Sequence, residues 1–241
     1  MTVLDTLHIP TLDRQRVPVK TLIEQLQPTP FNKKLIESHV ASIYLVSLLN
    51  EQTIHCRAYK DDEYSYQAIY VLQVTLKKSD QLTDLSSQLH SAFAEPTILL
   101  YTTGSKEWIS AAPKRINKLD NTKTVLEDIV VQEIKNNSIQ HINLENIKAK
   151  DLKDYYIQLV QIIYKIGIQE LIGIYPTIND DYKLIIKEYQ QLQVNINSLK
   201  EQYKKASMKS EKIDIDDQIF NEEQKQNKLL DKLRGETSGI K

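Results

Sequence analysis

From Tyr182 to Ala206 the apolar positions step by three and four residues in turn: Tyr182, Ile185, Tyr189, Leu192, Ile196, Leu199, Tyr203 and Ala206. This is the a/d spacing of a heptad seam. No Gly or Pro falls between Thr177 and Arg234, so a long helix is expected there, its seam spanning about 37 Å. The a-type positions hold three tyrosines, not the branched aliphatics that a parallel dimer prefers. The apolar register then slips at Ile213, Ile215, Ile219 and Phe220. The pattern therefore favours a helical hairpin closing on Phe220–Leu233, with an obligate parallel dimer second.

Upstream the periods are shorter. Pro10 and Pro18 leave residues 1–19 as an arm with at most short structure. Val19–Gln27 is read as one or two helical turns and Pro28-Thr29-Pro30 as an extended connector. Asn32 is expected to cap a helix over Lys33 to about Ser42. Ile43–Leu49 and Thr53–Tyr59 read as a hairpin across Asn50-Glu51-Gln52. Tyr66–Lys77 is the longest strand, with Leu72, Val74 and Leu76 facing one way and Gln73, Thr75 and Lys77 the other. Ser79 or Asp80 caps a helix with a Leu82, Leu85, Leu89, Phe93 stripe, ended by Pro96. Thr97–Tyr101 and Trp108–Ala112 form a second hairpin.

The basic stretch Lys114–Lys123 reads as a crossing loop, and Val125–Ile134 as a strand or a helix. From Asp151 a wide apolar face (Leu152, Tyr155, Tyr156, Leu159, Ile162, Ile163, Ile166) predicts a helix closed by Gly167. The expected class is α+β. A mixed α/β domain over 20–150, in the order helix, three strands, helix, strand, precedes a helical region over 151–234 with a coiled-coil or hairpin seam. Residues 235–241 form a flexible tail.

Composition narrows the chemistry. In 241 residues, 41% are hydrophobic and 26% charged, values of a soluble globular protein rather than a disordered one. The net charge of −1 leaves any nucleic-acid contact to a local patch. Cys56 is the only cysteine, so no internal disulfide forms and a reducing cytoplasmic setting is expected. No signal peptide or membrane-length apolar run is present. The five glycines form neither a P-loop nor a dinucleotide fingerprint. His8, His39, His55, His90 and His141 lack metal-ligand spacing, and no G-x-S-x-G elbow occurs. No cofactor is expected from these patterns.

Three weaker signals remain. Metal-dependent nucleases of the restriction type use this same order of elements, with an acid-x-Lys pair on the third strand. Asp62, Gln73 and Lys77 are the candidates here, with magnesium or manganese implied in that case alone. Thr75 stands where a carboxylate would serve a hard cation better. Basic clusters are the second signal, and Lys114, Arg115, Lys118, Lys204 and Lys205 are its candidates for phosphate contact. The third is a partner-binding set: Tyr189, Ile196 and Tyr203 on the seam, with the neutral amides Gln224 and Asn227 able to bond across a hairpin or to a partner's backbone.

Three stretches carry a resemblance over about residues 20–234. They are Phe31-Asn32-Lys33-Lys34 leading through Ile43-Tyr44, the strand Val71–Lys78 followed by a helix and Glu95–Leu100, and Glu222–Lys228 with its Glu/Lys-Gln-x-Asn-x-Lys form. Together they resemble a bacterial family known as domain of unknown function 4391. The resemblance implies a place beside DNA methyltransferases and superfamily 2 helicases in restriction-like or phage-defence loci. It also implies acidic residues on the third strand, where this chain has Gln73 and Thr75. The resulting expectation is a non-catalytic, cytoplasmic accessory subunit that docks through its helical arm on a helicase or methyltransferase, or on a second copy. A divergent nuclease and a DNA-binding module are the alternatives.

Overall fold

The alternation of branched and polar residues around Val71–Leu76 builds the central strand of a mixed sheet. The computed structural model describes residues 2–26, 29–176 and 182–237. In chain order the elements are α1 (Val3–Thr6), β1 (Gln15–Val17), α2 (Val19–Leu26), α3 (Pro30–His39), β2 (Val40–Leu49), α4 (Glu51–Ile54), β3 (Tyr59–Lys60), β4 (Ser65–Tyr66) and β5 (Ile69–Leu76). There follow α5 (Leu82–Ser91), β6 (Thr97–Thr102), β7 (Glu107–Ala111), β8 (Lys114–Asn117), β9 (Asp120–Leu126), β10 (Val130–Ile134) and α6 (Leu152–Ile172). The last two helices are α7 (Tyr182–Lys205) and α8 (Lys209–Thr237). The class is α+β, with a helical C-terminal part, and the chain divides into two compact units, Met1–Ile163 and Tyr164–Lys241.

The main sheet has six strands in the order β1-β2-β5-β6-β7-β10. Only β5 and β6 run parallel, joined by the α5 crossover, and the other pairs are antiparallel. Leu72, Val74 and Leu76 point into the core with Ile43, Leu99 and Tyr101, beneath Leu35 and Ile36 of α3 and Leu85 and Leu89 of α5. Each of these fully buried aliphatic side chains contributes about 2 kcal/mol of apolar burial. The opposite register row carries Tyr44, Gln73 and Leu100, paired directly across β2, β5 and β6.

Several expectations change for local reasons. Thr29, not Asn32, caps α3: its hydroxyl accepts from the Asn32 N–H at 3.3 Å, and Pro30 occupies the first turn, where a missing N–H costs nothing. The hairpin of Ile43–Leu49 with Thr53–Tyr59 does not form. Asn50 Oδ1 accepts from the N–H groups of Gln52 and Thr53 in a capping box, which starts α4, and β2 pairs with β5 instead.

Helix α5 starts after Gln81 in the left-handed region rather than at a Ser79 or Asp80 cap. Lys114–Lys123 is no crossing loop, since β8 and β9 form a hairpin there, and Val125–Ile134 splits into the end of β9 and β10. Helix α6 passes through Gly167 because Ile166, Ile168 and Ile172 keep its apolar face buried, and Gly173, at φ +79, follows its end. Part of the Pro28 connector, residues 177–181 and the end of the tail lie outside the described residues.

In the C-terminal unit α7 and α8 form an antiparallel hairpin. Gln226 Nε2 donates to Gln193 Oε1 (3.1 Å), Asn195 Nδ2 to Glu222 Oε2 (3.2 Å), and Lys200 reaches Glu223 (2.8 Å). Tyr182, Leu192 and Ile196 are buried on α7, as are Ile215, Ile219 and Leu233 on α8.

Candidate functional site

The polar row of β5 is the first place where chemistry was expected. Arg14 Nη2 donates to Gln73 Oε1 at 2.6 Å, and its guanidinium lies 4.7 Å from the centre of the Tyr44 ring. Lys77 Nζ donates to the Glu37 carbonyl at 2.7 Å, at the end of α3. Asp62 sits in the turn before β4. There the Asp61 carboxylate accepts from the Tyr59 hydroxyl (2.5 Å) and from the N–H groups of Glu63 and Tyr64, bonds that hold it below the usual carboxylate range. Glu63 O in turn accepts from Ile116 N on β8. Asp62 thus precedes β5 and Lys77 follows it, at opposite ends of a strand about 26 Å long. The structure does not bring Asp62, Gln73 and Lys77 together, and the acid-x-Lys arrangement they were expected to imitate is not assembled.

A groove of about 550 Å³ opens where β1 meets α2 and β2 begins. Arg16, Lys20 and Lys77 line it, with Glu37, Pro18 and Ala41. Ala41 is the unpaired residue of a bulge, since Val40 faces Leu76 while Ser42 faces Thr75. Neither Arg16 nor Lys20 belongs to the basic clusters of the sequence pattern. The signal was present in the run Arg14-Gln15-Arg16-Val17-Pro18-Val19-Lys20, where three cations fall within seven residues.

Lys114, expected at a phosphate-contacting surface, is instead buried. Its Nζ donates to the carbonyls of His90 (2.7 Å), Phe93 (2.6 Å) and Glu95 (2.7 Å), closing the exposed C-terminal end of α5. Burial lowers its ammonium to about 7. His90, fully buried beside it, bonds through Nδ1 to Thr97 Oγ1 (2.6 Å) and through Nε2 to Ser110 Oγ (2.9 Å). Burial, then the nearby Lys114, keep that imidazole well below its ordinary value. The Tyr156 hydroxyl completes the network, accepting from Ala112 N–H (2.9 Å) and donating to Thr97 O (2.6 Å). This network is satisfied internally and ties α5, α6, β6 and β7 together.

A second cavity, of about 490 Å³, lies among His8, His55, Cys56, Glu145, Lys148 and Tyr155. His8 (φ 49) and His55 (φ 53) both adopt left-handed backbone there. Burial first, then Asp151 and Asp154, push the Cys56 thiol up, so it is a poor nucleophile. Among the described residues no group of three His, Cys, Asp or Glu is disposed to hold a metal ion.

The remaining candidates divide between the units. Arg115 and the exposed Lys118 belong to the β8–β9 hairpin, where Leu119 is 98% exposed at the tip. Lys204, bound to Glu201 at 2.7 Å, and Lys205 end α7. Of the partner set, Ile196 is 1% exposed and serves the hairpin interior, so it cannot meet a partner directly. Tyr189 is half-buried, while Tyr203 is exposed with Lys212 5.5 Å from its ring centre. Gln224 and Asn227 are exposed, and the amides that bond across the hairpin are Gln226, Gln193 and Asn195.

On the outer side of α8, Ile213 (55% exposed) and Phe220 (61%) stand two turns apart, with Asp216 and Asp217 between them on the same face. From Glu211 to Glu223 six acidic residues stand against one lysine. Glu222 and Glu223 are occupied by Lys225 and Lys200, whereas Asp214, Asp216 and Asp217 have no basic partner among the described residues.

The fold and these surfaces define an α+β protein with a mixed sheet and a helical C-terminal part. No helix among the described residues is long and apolar enough to cross a membrane. The chain belongs to the family of the domain of unknown function DUF4391, whose model matches residues 9–226. No match is found among curated proteins, and none among solved structures.

Proposed function

We propose that this protein is a non-catalytic accessory subunit of a bacterial restriction-like or phage-defence system, and that it docks through the α7–α8 hairpin on a helicase or DNA methyltransferase of the same locus. The observation that carries this reading is the outer face of α8: Ile213 and Phe220 exposed among aspartates with no basic partner. Such a face fits a partner surface that is apolar at its centre and basic at its rim. Met208, 65% exposed at the hairpin turn, extends it.

A metal-dependent nuclease finds less support, because Asp62, Gln73 and Lys77 lie apart and two of the three side chains already have protein partners. Co-expression with the neighbouring helicase and methyltransferase tests the proposal. One of them should co-elute with the wild-type chain, and Ile213→Ser with Phe220→Ser should weaken that association at least tenfold while leaving the helical spectrum unchanged. Co-elution that survives the double substitution, or no co-elution with either enzyme, overturns it.

A further inference from the structure

We propose that the groove between β1, α2 and the end of β5 binds the phosphodiester backbone of a nucleic acid, gripping successive phosphates with Arg16, Lys20 and Lys77. This stands independently of the hairpin reading and uses a different unit of the chain. Three cations and one carboxylate line the groove, a local charge of +2 in a molecule whose net charge is −1. The one carboxylate, Glu37, lies 4.0 Å from Lys33. Arg16 and Lys20 have no acidic partner among the described residues. Lys106, Lys200, Lys204, Lys225 and Arg234, by contrast, each reach a carboxylate. Lys77 spends one of its three N–H donors on the Glu37 carbonyl and keeps two for a ligand.

Geometry favours a chain of phosphates over a single one. Arg16 is on the edge strand β1 and Lys77 follows β5, with β2 between them, so their strands lie about 10 Å apart across the sheet. Consecutive phosphates of a strand can occupy both ends of such a span. The Ala41 bulge and the apolar Val19 and Val40 leave a wall with no competing charge, suited to sugar. No Gly-rich cradle of backbone N–H groups is present to hold a nucleotide's phosphates in the usual way.

Fluorescence anisotropy of the full chain tests this with labelled single-stranded and duplex DNA of about 20 nucleotides, titrated with salt. Wild type should bind at least one of them. Arg16→Ala with Lys20→Ala should lose at least tenfold in affinity, and the slope of log K against log salt should shrink by about 2. Arg16→Lys with Lys20→Arg should retain most of the binding, and Lys106→Ala should change nothing. The proposal fails if wild type binds neither DNA at low salt. It fails equally if the double alanine variant, with unchanged circular dichroism, binds as tightly as wild type. Displacement of the DNA by equimolar inorganic phosphate would also overturn it, by assigning the groove to a small anion.

Discussion

Lys114 shows how one side chain can be misjudged by its neighbours in sequence. In the run Lys114, Arg115, Lys118, Lys123 it reads as one more surface cation, yet its ammonium replaces the missing hydrogen-bond partners of three carbonyls at and just after the end of α5. Removing it leaves buried acceptors unpaired, so Lys114→Met should cost about 3 kcal/mol in denaturant unfolding. Its folded value near 7 lies below the ordinary lysine value of 10.5. Between those two pH values the unfolded chain binds more protons than the folded one, and stability therefore rises with pH across that window. Wild type should gain stability between pH 7 and pH 10 relative to Lys114→Met, in parallel urea titrations. A flat difference would mean that the three carbonyls hold the ammonium charged throughout. Arg16 and Lys20 are hard to read for the opposite reason: nothing in an arm punctuated by Pro10 and Pro18 announces that β1 will pair with β2 and place them beside Lys77.

At the level of elements, period was a good guide and boundaries were not. The alternation of Leu72, Val74 and Leu76 and the Leu85–Leu89 stripe were legible because each turns one face to the core, and the pairing of Thr97–Tyr101 with Trp108–Ala112 because both runs are mostly apolar and buried throughout. The false hairpin at Thr53–Tyr59 was decided by a capping box, a local effect that apolar periodicity does not register. The start of α5 was decided by a backbone turn, with Gln81 at φ 54 and no side-chain cap. Left-handed backbone strains a residue with a Cβ, so Gln81→Gly should raise stability by about 0.5–1 kcal/mol. Gly173→Ala, at φ +79 after α6, should lower it by about 1 kcal/mol. Thermal unfolding of both variants checks the pair, and equal shifts in one direction would contradict the strain argument. In the hairpin, Ile196→Ala removes a side chain that is 1% exposed and should cost the C-terminal unit about 2–4 kcal/mol by chemical denaturation.

For the whole molecule, the long stretch without Gly or Pro made the helical C-terminal part legible, and the antiparallel closure followed from tyrosines where a parallel dimer wants branched aliphatics. The candidate surfaces were less legible because each is assembled from distant segments: Arg16, Lys20 and Lys77 span 62 positions, and His8, Cys56 and Tyr155 almost the whole N-terminal unit. One face of the sheet packs on residues between Leu22 and Trp108, with Val17, Val19 and Val131 at its margin, and Tyr156 of α6 bonds to Thr97 and Ala112. None of these depends on the sequence after α6. A fragment ending at Pro176 should therefore fold by itself, unfold cooperatively and keep the mixed-sheet spectrum. Trp108 is the only tryptophan and is buried in that core, so its emission reports the outcome directly. Blue-shifted emission that moves red in one step with urea would match this expectation. Red-shifted emission in buffer alone would show that the sheet requires the C-terminal unit, and the hairpin would then be part of the fold's support as well as a docking surface.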